Sequence, residues 1–385
     1  MVFVSPLLAL LVAATPAIPS TPPGSFQQVV QQADAARTAN QPQDAIRLYR
    51  RGVGLRPSWS EGWWWLGSLL YEQDRFPEAE SAFRRFVPLT SKPGPAYAFL
   101  GLCEYQTREY DHALQHLRVW ASQGWAGTPD LIDVAAFHMA LLLTRQGRFV
   151  EALYLLATEA GKSRSGPALA EAMGLASLRM ASLPEEYPPQ RREMVWLAGQ
   201  AALHASLPTH ELGRADEYSR RLLLHYSGEP EVHYFRGQLS SLEQKRGEAE
   251  KEFQEELRIS PQHVPAMLEL IRINLDGRRI DDAQSLARRA TELEPRNAEA
   301  HHLLGRVLLA GGQTEGSARE LEIAKQLAPD SATVRSHLAE AYRQLGRTQQ
   351  AKREAAAFLS LKKKEEVLAP PEARTSMADP ARQPR

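Results

Sequence analysis

Residues 298–331 read AEAHHLLGRVLLAGGQTEGSARELEIAKQLAPDS, and this stretch decides the fold. Ala300, Leu303, Leu304, Val307 and Leu308 recur at helical spacing and mark one apolar face. Gly311-Gly312 breaks that helix. A second apolar face follows with Leu321, Ile323, Ala324 and Leu327. Pro329 closes the unit, because proline cannot continue a helix interior. The stretch predicts two amphipathic helices joined by a tight turn.

The unit recurs with a period of 34 residues along much of the chain. Ala45, Ala79 and Ala113 keep this spacing, as do Ala249, Ala283, Ser317 and Ala351. Gly67 and Gly101 keep it, as do Gly237, Ile271, Gly305 and Ala339. Pro261, Pro295 and Pro329 form a further column, and Tyr49, Phe83 and Leu117 another. A glycine inside a helix costs about 1 kcal/mol against alanine. Such glycines are tolerable where a partner helix crosses closely, and the alanines are expected to be the matching approach on the second helix.

These columns resemble the tetratricopeptide repeat family: a large residue, then Leu-Gly, a Tyr-like position, and later Ala, Phe and Pro. Residues 60–93 carry the resemblance best, in Trp63, Leu66, Gly67, Tyr71, Ala79 and Phe83. The implied fold is all-α, a right-handed α-solenoid superhelix of stacked antiparallel helix pairs. Repeats frame as 26–59, 60–93, 94–127 and 133–166, a block over 26–166, and as 230–263, 264–297, 298–331 and 332–365, a block over 230–365. Residues 167–229 lack the clean period and read as degenerate repeats with an insertion at the Pro-rich stretch 183–189. Either the stack continues through one long turn, or a hinge lies near Glu185. Three positions depart from the family pattern: Glu256 and Ile271 stand where small residues are usual, and Ser317 replaces alanine.

The ends differ from the repeats. Residues 2–14 form an uncharged apolar run of signal-peptide length, too short to span a bilayer, which needs ~20 residues. With the Pro-rich spacer after it, this assigns residues 1–25 to a signal peptide and linker, and the expected location is a bacterial periplasm or the medium; otherwise it is the cytoplasm. Residues 366–385 read as a disordered tail. Across the chain, 46 Lys and Arg balance 46 Asp and Glu. That neutrality argues against a protein held on nucleic acid by charge. The single cysteine, Cys103, excludes an internal disulfide framework.

No catalytic constellation emerges: there is no phosphate loop, no GxSxG elbow and no HExxH helix. The chain reads as a non-enzyme without metal or cofactor. His112 and His116, one helical turn apart, could chelate an ion, but no third ligand stands at helical spacing. Cys103, beside Gly101, reads as a small core residue.

Trp63-Trp64-Trp65 span about 200° of a helix surface, so not all three can be core. The resemblance implies that first helices line the concave, ligand-holding surface. In that frame Trp64, Tyr71, Leu102, Tyr105, Phe137 and Leu141 form an aromatic and apolar groove in the N-terminal block. The alternative is that they fill space between successive first helices. In the C-terminal block the same frame gives Tyr234, Gln238, Arg272, His302, Arg306, Glu340 and Arg343, a polar face with a basic tilt suited to an acidic segment. The basic and amide residues with which some family members clamp a terminal carboxylate are replaced here by Val30, Asp34, Trp64 and Ser68. The expectation is a scaffold for a peptide or protein partner, in envelope or secreted-protein assembly. The competing expectation is a substrate-recognition component of an envelope polysaccharide or peptidoglycan system.

Overall fold

The computed structural model describes residues 25–162, 166–207 and 211–368, without the side chains of 364–368. The expected leader and spacer, apart from Ser25, and the tail beyond Leu368 lie outside the described residues. Nineteen α-helices and no strand occur among the described residues. None of these helices is long and apolar enough to cross a membrane.

The chain divides into two compact units, one up to Leu155 and one from Leu156. The first contains α1 (Phe26–Thr38), α2 (Pro42–Leu55), α3 (Ser60–Glu72), α4 (Phe76–Phe86), α5 (Ala96–Gln106), α6 (Tyr110–Ser122), α7 (Pro129–Arg145) and the start of α8 (Phe149–Gly161). From α1 to α7 each helix packs on the next, and the first helices α3, α5 and α7 of successive pairs also touch. The second unit contains the irregular α9 (Pro167–Ser177), α10 (Arg192–Ser206) and α11 (Leu212–Tyr226). Four regular pairs follow: α12 (Val232–Leu242) with α13 (Arg246–Ile259), α14 (Val264–Asp276) with α15 (Ile280–Leu293), α16 (Ala298–Ala310) with α17 (Thr314–Leu327), and α18 (Ala332–Gln344) with α19 (Thr348–Leu368). Here too the first helices α14, α16 and α18 meet in sequence.

Local chemistry sets the helix ends. Ser25, Thr128, Asn297 and Ser331 accept backbone N–H bonds at the starts of α1, α7, α16 and α18. Within a pair, the turn places one residue in the left-handed region: Asn40, Asp74, Arg108, Gly147, Gln244, Arg278, Gly312 and Gly346. These residues keep the 34-residue spacing within the runs 40–108 and 244–346.

Close packing explains the in-helix glycines. A Cβ at Gly67 would lie 2.8 Å from the Phe83 ring, and one at Gly237 2.5 Å from Phe253. Gly101 and Gly305 meet Leu117 and Leu321 at 2.6 Å. The expectation for the alanines is thereby corrected. The close partner is chiefly the large residue four positions beyond them, because its side chain reaches across the pair; at Gly101 the Ala113 carbonyl also comes within 2.9 Å. Ala45, Ala79, Ala113, Ala249 and Ala283 are fully buried, whereas Ala351 is half-buried. The tightest crossing is in the irregular region, where a Cβ on Gly199 would stand 1.8 Å from the Ala170 carbonyl oxygen.

A polar seam repeats beneath the apolar one. His233 bonds Glu252 (2.6 Å) and the Ser227 carbonyl (3.1 Å). His301 does the same with Glu320 (2.7 Å) and the Pro295 carbonyl (3.1 Å). Arg335 does so with Glu354 (2.8 Å) and the Pro329 carbonyl (3.1 Å). Each clamp ties a first helix to its second helix and to the preceding loop.

Candidate functional site

In the first unit the aromatic stripe is turned into packing. Trp64 is half-buried, with its ring centroid 5.7 Å from Phe83, 5.5 Å from Phe86 and 5.8 Å from Phe99. Tyr71 lies 5.6 Å from Phe76 and 5.0 Å from Phe99. Phe99, absent from the expected groove, is thus the centre of the cluster, stacked on Phe83 at 5.2 Å. Tyr105 meets Tyr110 and, at 4.6 Å, His138; Phe137 also meets His138. Leu102 and Leu141 are only 2% and 4% exposed. The expectation that these two leucines line an open groove is corrected: successive first helices approach so closely that both become core. Burial pushes the Tyr71 hydroxyl well above its ordinary pKa.

Trp63 and Trp65 have separate work. The Trp63 indole donates to the Pro57 carbonyl at 2.8 Å. Arg37 lies over the Trp65 ring at 3.8 Å, a cation–π contact. A cleft of about 750 Å³ opens between α2 and α4 above α3, lined by Val53, Pro57, Trp63, Leu66, Leu70 and Leu89. Sequence reasoning did not find it, since Gly54 and Ala82 mark it only by being small.

His112 and His116 do not converge on an ion. His112 Nδ1 faces Glu109 at 3.1 Å, and His116 Nδ1 faces the buried Glu104 at 2.7 Å. Glu80, Glu104 and Glu109 bring carboxylate oxygens within 4.8 Å of one another. The Arg84 guanidinium joins all three, at 2.9, 2.8 and 3.5 Å, and offsets part of their charge. Cys103 is fully buried, and burial pushes its thiol far above the ordinary value, which disfavours the nucleophilic thiolate.

In the second unit the first-helix face is polar. Arg272 on α14 is bound by Glu269 (2.8 Å) and by Glu299 of α16 (3.0 Å). Burial alone would raise the Glu299 pKa, but His302 and Arg272 hold it below the usual carboxylate range. His302 is buried rather than lining an open groove as expected, because it is caught between α16 and α18. Its Nδ1 faces Glu299 at 3.3 Å and its Nε2 faces His337 Nδ1 at 3.1 Å. Arg306 is half-buried one turn beyond it. Arg343 is exposed and paired with Glu340. Tyr234 is buried, and Gln238 donates to its hydroxyl at 3.0 Å. Burial raises the Tyr234 pKa to about 12. His337 escaped the sequence reading, because the repeat column through Arg306 and Glu340 passes it by. A second cleft, of about 630 Å³, adjoins this face between α18 and α19, lined by His337, Glu340, Arg343, Lys352 and Phe358.

Two family models match the chain. Residues 30–98 match the model described as tetratricopeptide repeat. Residues 197–362 match the middle TPR-like domain of cilia and flagella-associated protein 70. No curated protein matches at a significant level. Similar solved structures include residues 41 to the end of MamA from Desulfovibrio magneticus RS-1, at 17% identity, 45% of this chain, 96% of that chain and a TM-score of 0.41. YrrB, described as a TPR protein with an unusual peptide-binding site, matches at 18% identity over 45% of this chain and 88% of its own, with a TM-score of 0.38. The Cut9–Hcn1 hetero-tetramer of the APC/C matches at 14% identity over 89% and 80%, with a TM-score of 0.36.

Proposed function

The chain is a tetratricopeptide repeat protein, and from that premise we propose that it is a non-enzymatic scaffold holding a peptide or protein segment on the first-helix face of its second unit. One observation carries this reading. The helix pairs bury their apolar stripes against one another, yet Arg272, Arg306, His337 and Glu340 stay partly accessible and Arg343 is exposed along α14, α16 and α18. Residues 272, 306 and 340 recur every 34 residues, so a bound chain would meet a regular ladder of polar groups. The aromatic stripe of the first unit supports this assignment by contrast. Trp64 and Tyr71 are engaged by Phe83, Phe86, Phe76 and Phe99, which leaves little free ring face for a sugar.

The apolar run of residues 2–14 adds a location to the proposal, the periplasm or the medium, and a role in assembly of envelope or secreted proteins. The binding test is a random-peptide screen on the immobilised full chain, with each hit re-measured on Arg272→Ala and on Arg319→Ala, an exposed control on α17. Hits of micromolar affinity, about −8 kcal/mol, that weaken with the first variant and not the second are expected. A screen without hits, or hits indifferent to both variants, overturns the reading.

A further inference from the structure

The first-helix face of the second unit also specifies what kind of segment it would take. Of its three arginines, Arg272 is satisfied by two carboxylates and Arg343 by Glu340. Arg306 occupies the same repeat column as Arg272 but has no ion pair or hydrogen bond among the described residues. A half-buried guanidinium carries five N–H donors and loses solvation at a cost unless acceptors replace the water.

Beside it stand the two imidazoles, with ring centroids 5.0 Å apart. Their hydrogen bonds fix the tautomers. His302 Nδ1 faces a Glu299 carboxylate oxygen, so it carries the proton and leaves Nε2 as an acceptor. His337 Nδ1 faces both that Nε2 (3.1 Å) and the Thr333 carbonyl (2.8 Å), so it carries the other proton and is shared between two acceptors. His337 Nε2 has no hydrogen bond among the described residues. A further proton can therefore be taken there without breaking any existing bond, and it would add one donor next to Arg306.

The surroundings leave this corner short of negative charge. Fixed charges around the pair are Glu269 and Arg272 on α14, Glu299 and Arg306 on α16, Glu340 and Arg343 on α18, and Lys352 on α19. On the far side of α16, His301 is already tied to Glu320 of α17, and α15 meets α16 through Ala283, Ala287 and Ala290. Four fixed cations thus face three carboxylates before either imidazole is charged. Burial, with His302 and Arg306, holds the His337 pKa below its ordinary value.

We propose that this face seats an acidic peptide, with a carboxylate on the Arg306 guanidinium, and that the seat is proton-linked through the His302–His337 pair. The proposal rests on the scaffold reading above and names its ligand class. A carboxylate at Arg306 offsets the cationic field on His337 and offers its Nε2–H an acceptor. Bound peptide therefore favours the protonated pair, and by reciprocity protonation favours bound peptide. Affinity rises as pH falls, by at most about tenfold per pH unit for one proton. Peptide carboxylates stay ionised down to about pH 5, which leaves the window open.

The probes are a fluorescein-labelled peptide rich in Glu and Asp and its Gln/Asn counterpart, titrated with the full chain between about pH 7.5 and pH 5.5. The acidic peptide binds, the amide counterpart does not, and affinity rises roughly tenfold across the window. Arg306→Gln abolishes binding at both ends, and Arg306→Lys, which keeps the charge but loses the fork, weakens it. His337→Gln retains binding at the upper end and flattens the pH response. Circular dichroism establishes that each variant is folded. Binding that survives Arg306→Gln, a pH response that survives His337→Gln, or equal binding of both peptides overturns the proposal. The peptide screen separates the two failures: hits without acidic preference sink the seat alone, and no hits sink the scaffold as well.

Discussion

Glu256 stands at a repeat position where Ala290 and Ala324 are also fully buried, and it is a charged side chain with no exposure. The structure explains this departure from the repeat. Helix α12 starts after Glu231, whose backbone is left-handed and whose own side chain supplies no cap. Glu256, near the end of α13, reaches across and accepts the backbone N–H groups of Glu231 (3.0 Å) and Tyr234 (3.2 Å). A carboxylate there also meets the positive end of the α12 dipole. Sequence alone marks the position as irregular and cannot say why, because the donors it serves lie more than 20 residues away. Glu256→Ala should strand two buried donors and lower stability by about 2–3 kcal/mol in urea unfolding. Glu256→Gln keeps one acceptor oxygen and should lose less. Equal stability of all three proteins would show that α12 caps itself.

At the scale of the helix pair, the turns carry a cost of their own. Glycine stands at the left-handed position in three of the eight turns, whereas Asp74, Arg108, Gln244 and Arg278 hold the same geometry with a side chain. That conformation costs an ordinary residue roughly 1–2 kcal/mol. Arg278, with φ of 58° and an exposed side chain, gives up little on replacement. Arg278→Gly should therefore stabilise the second unit by about 0.5–1 kcal/mol after glycine's own entropy loss is subtracted. A drop in the denaturation midpoint would contradict it. The helix pairs themselves were legible in the sequence, because 34-residue columns such as Gly67–Gly101 and Pro261–Pro295–Pro329 repeat a packing requirement that is local in the chain. Helices α9, α10 and α11 fall in the stretch 167–229, where the sequence shows degenerate repeats around a Pro-rich loop and no clean period. What stayed hidden depends on neighbours far along the chain. Leu102 and Leu141 look like surface in a single helix and become core only when first helices close on one another. The sequence marks Arg272, Arg306 and Arg343 alike as basic, yet only contact geometry separates Arg272 and Arg343, already satisfied, from Arg306.

At the scale of the whole molecule, repeat stacks hold together through nearest-neighbour interfaces, so damage in one place need not spread. The division at Leu155 offers a direct check, because the chain carries its reporters unevenly. Six of the seven tryptophans, Trp59, Trp63, Trp64, Trp65, Trp120 and Trp125, precede that point, and Trp196 alone follows it. Tryptophan fluorescence therefore follows chiefly the first unit, whereas helical circular dichroism follows both. Gly67→Leu drives a branched side chain into the Phe83 ring, which already stands 2.8 Å from where a Cβ would be. Overpacking of this kind costs roughly 1–3 kcal/mol. The fluorescence transition should move to lower denaturant by that amount, while the dichroism trace should split, with its later part unmoved. Gly305→Leu, which meets Leu321 in the same way, should do the reverse and leave the fluorescence midpoint in place. Coincident fluorescence and dichroism transitions in both variants would mean that the units unfold as one cooperative body, since two-state unfolding requires all probes to agree.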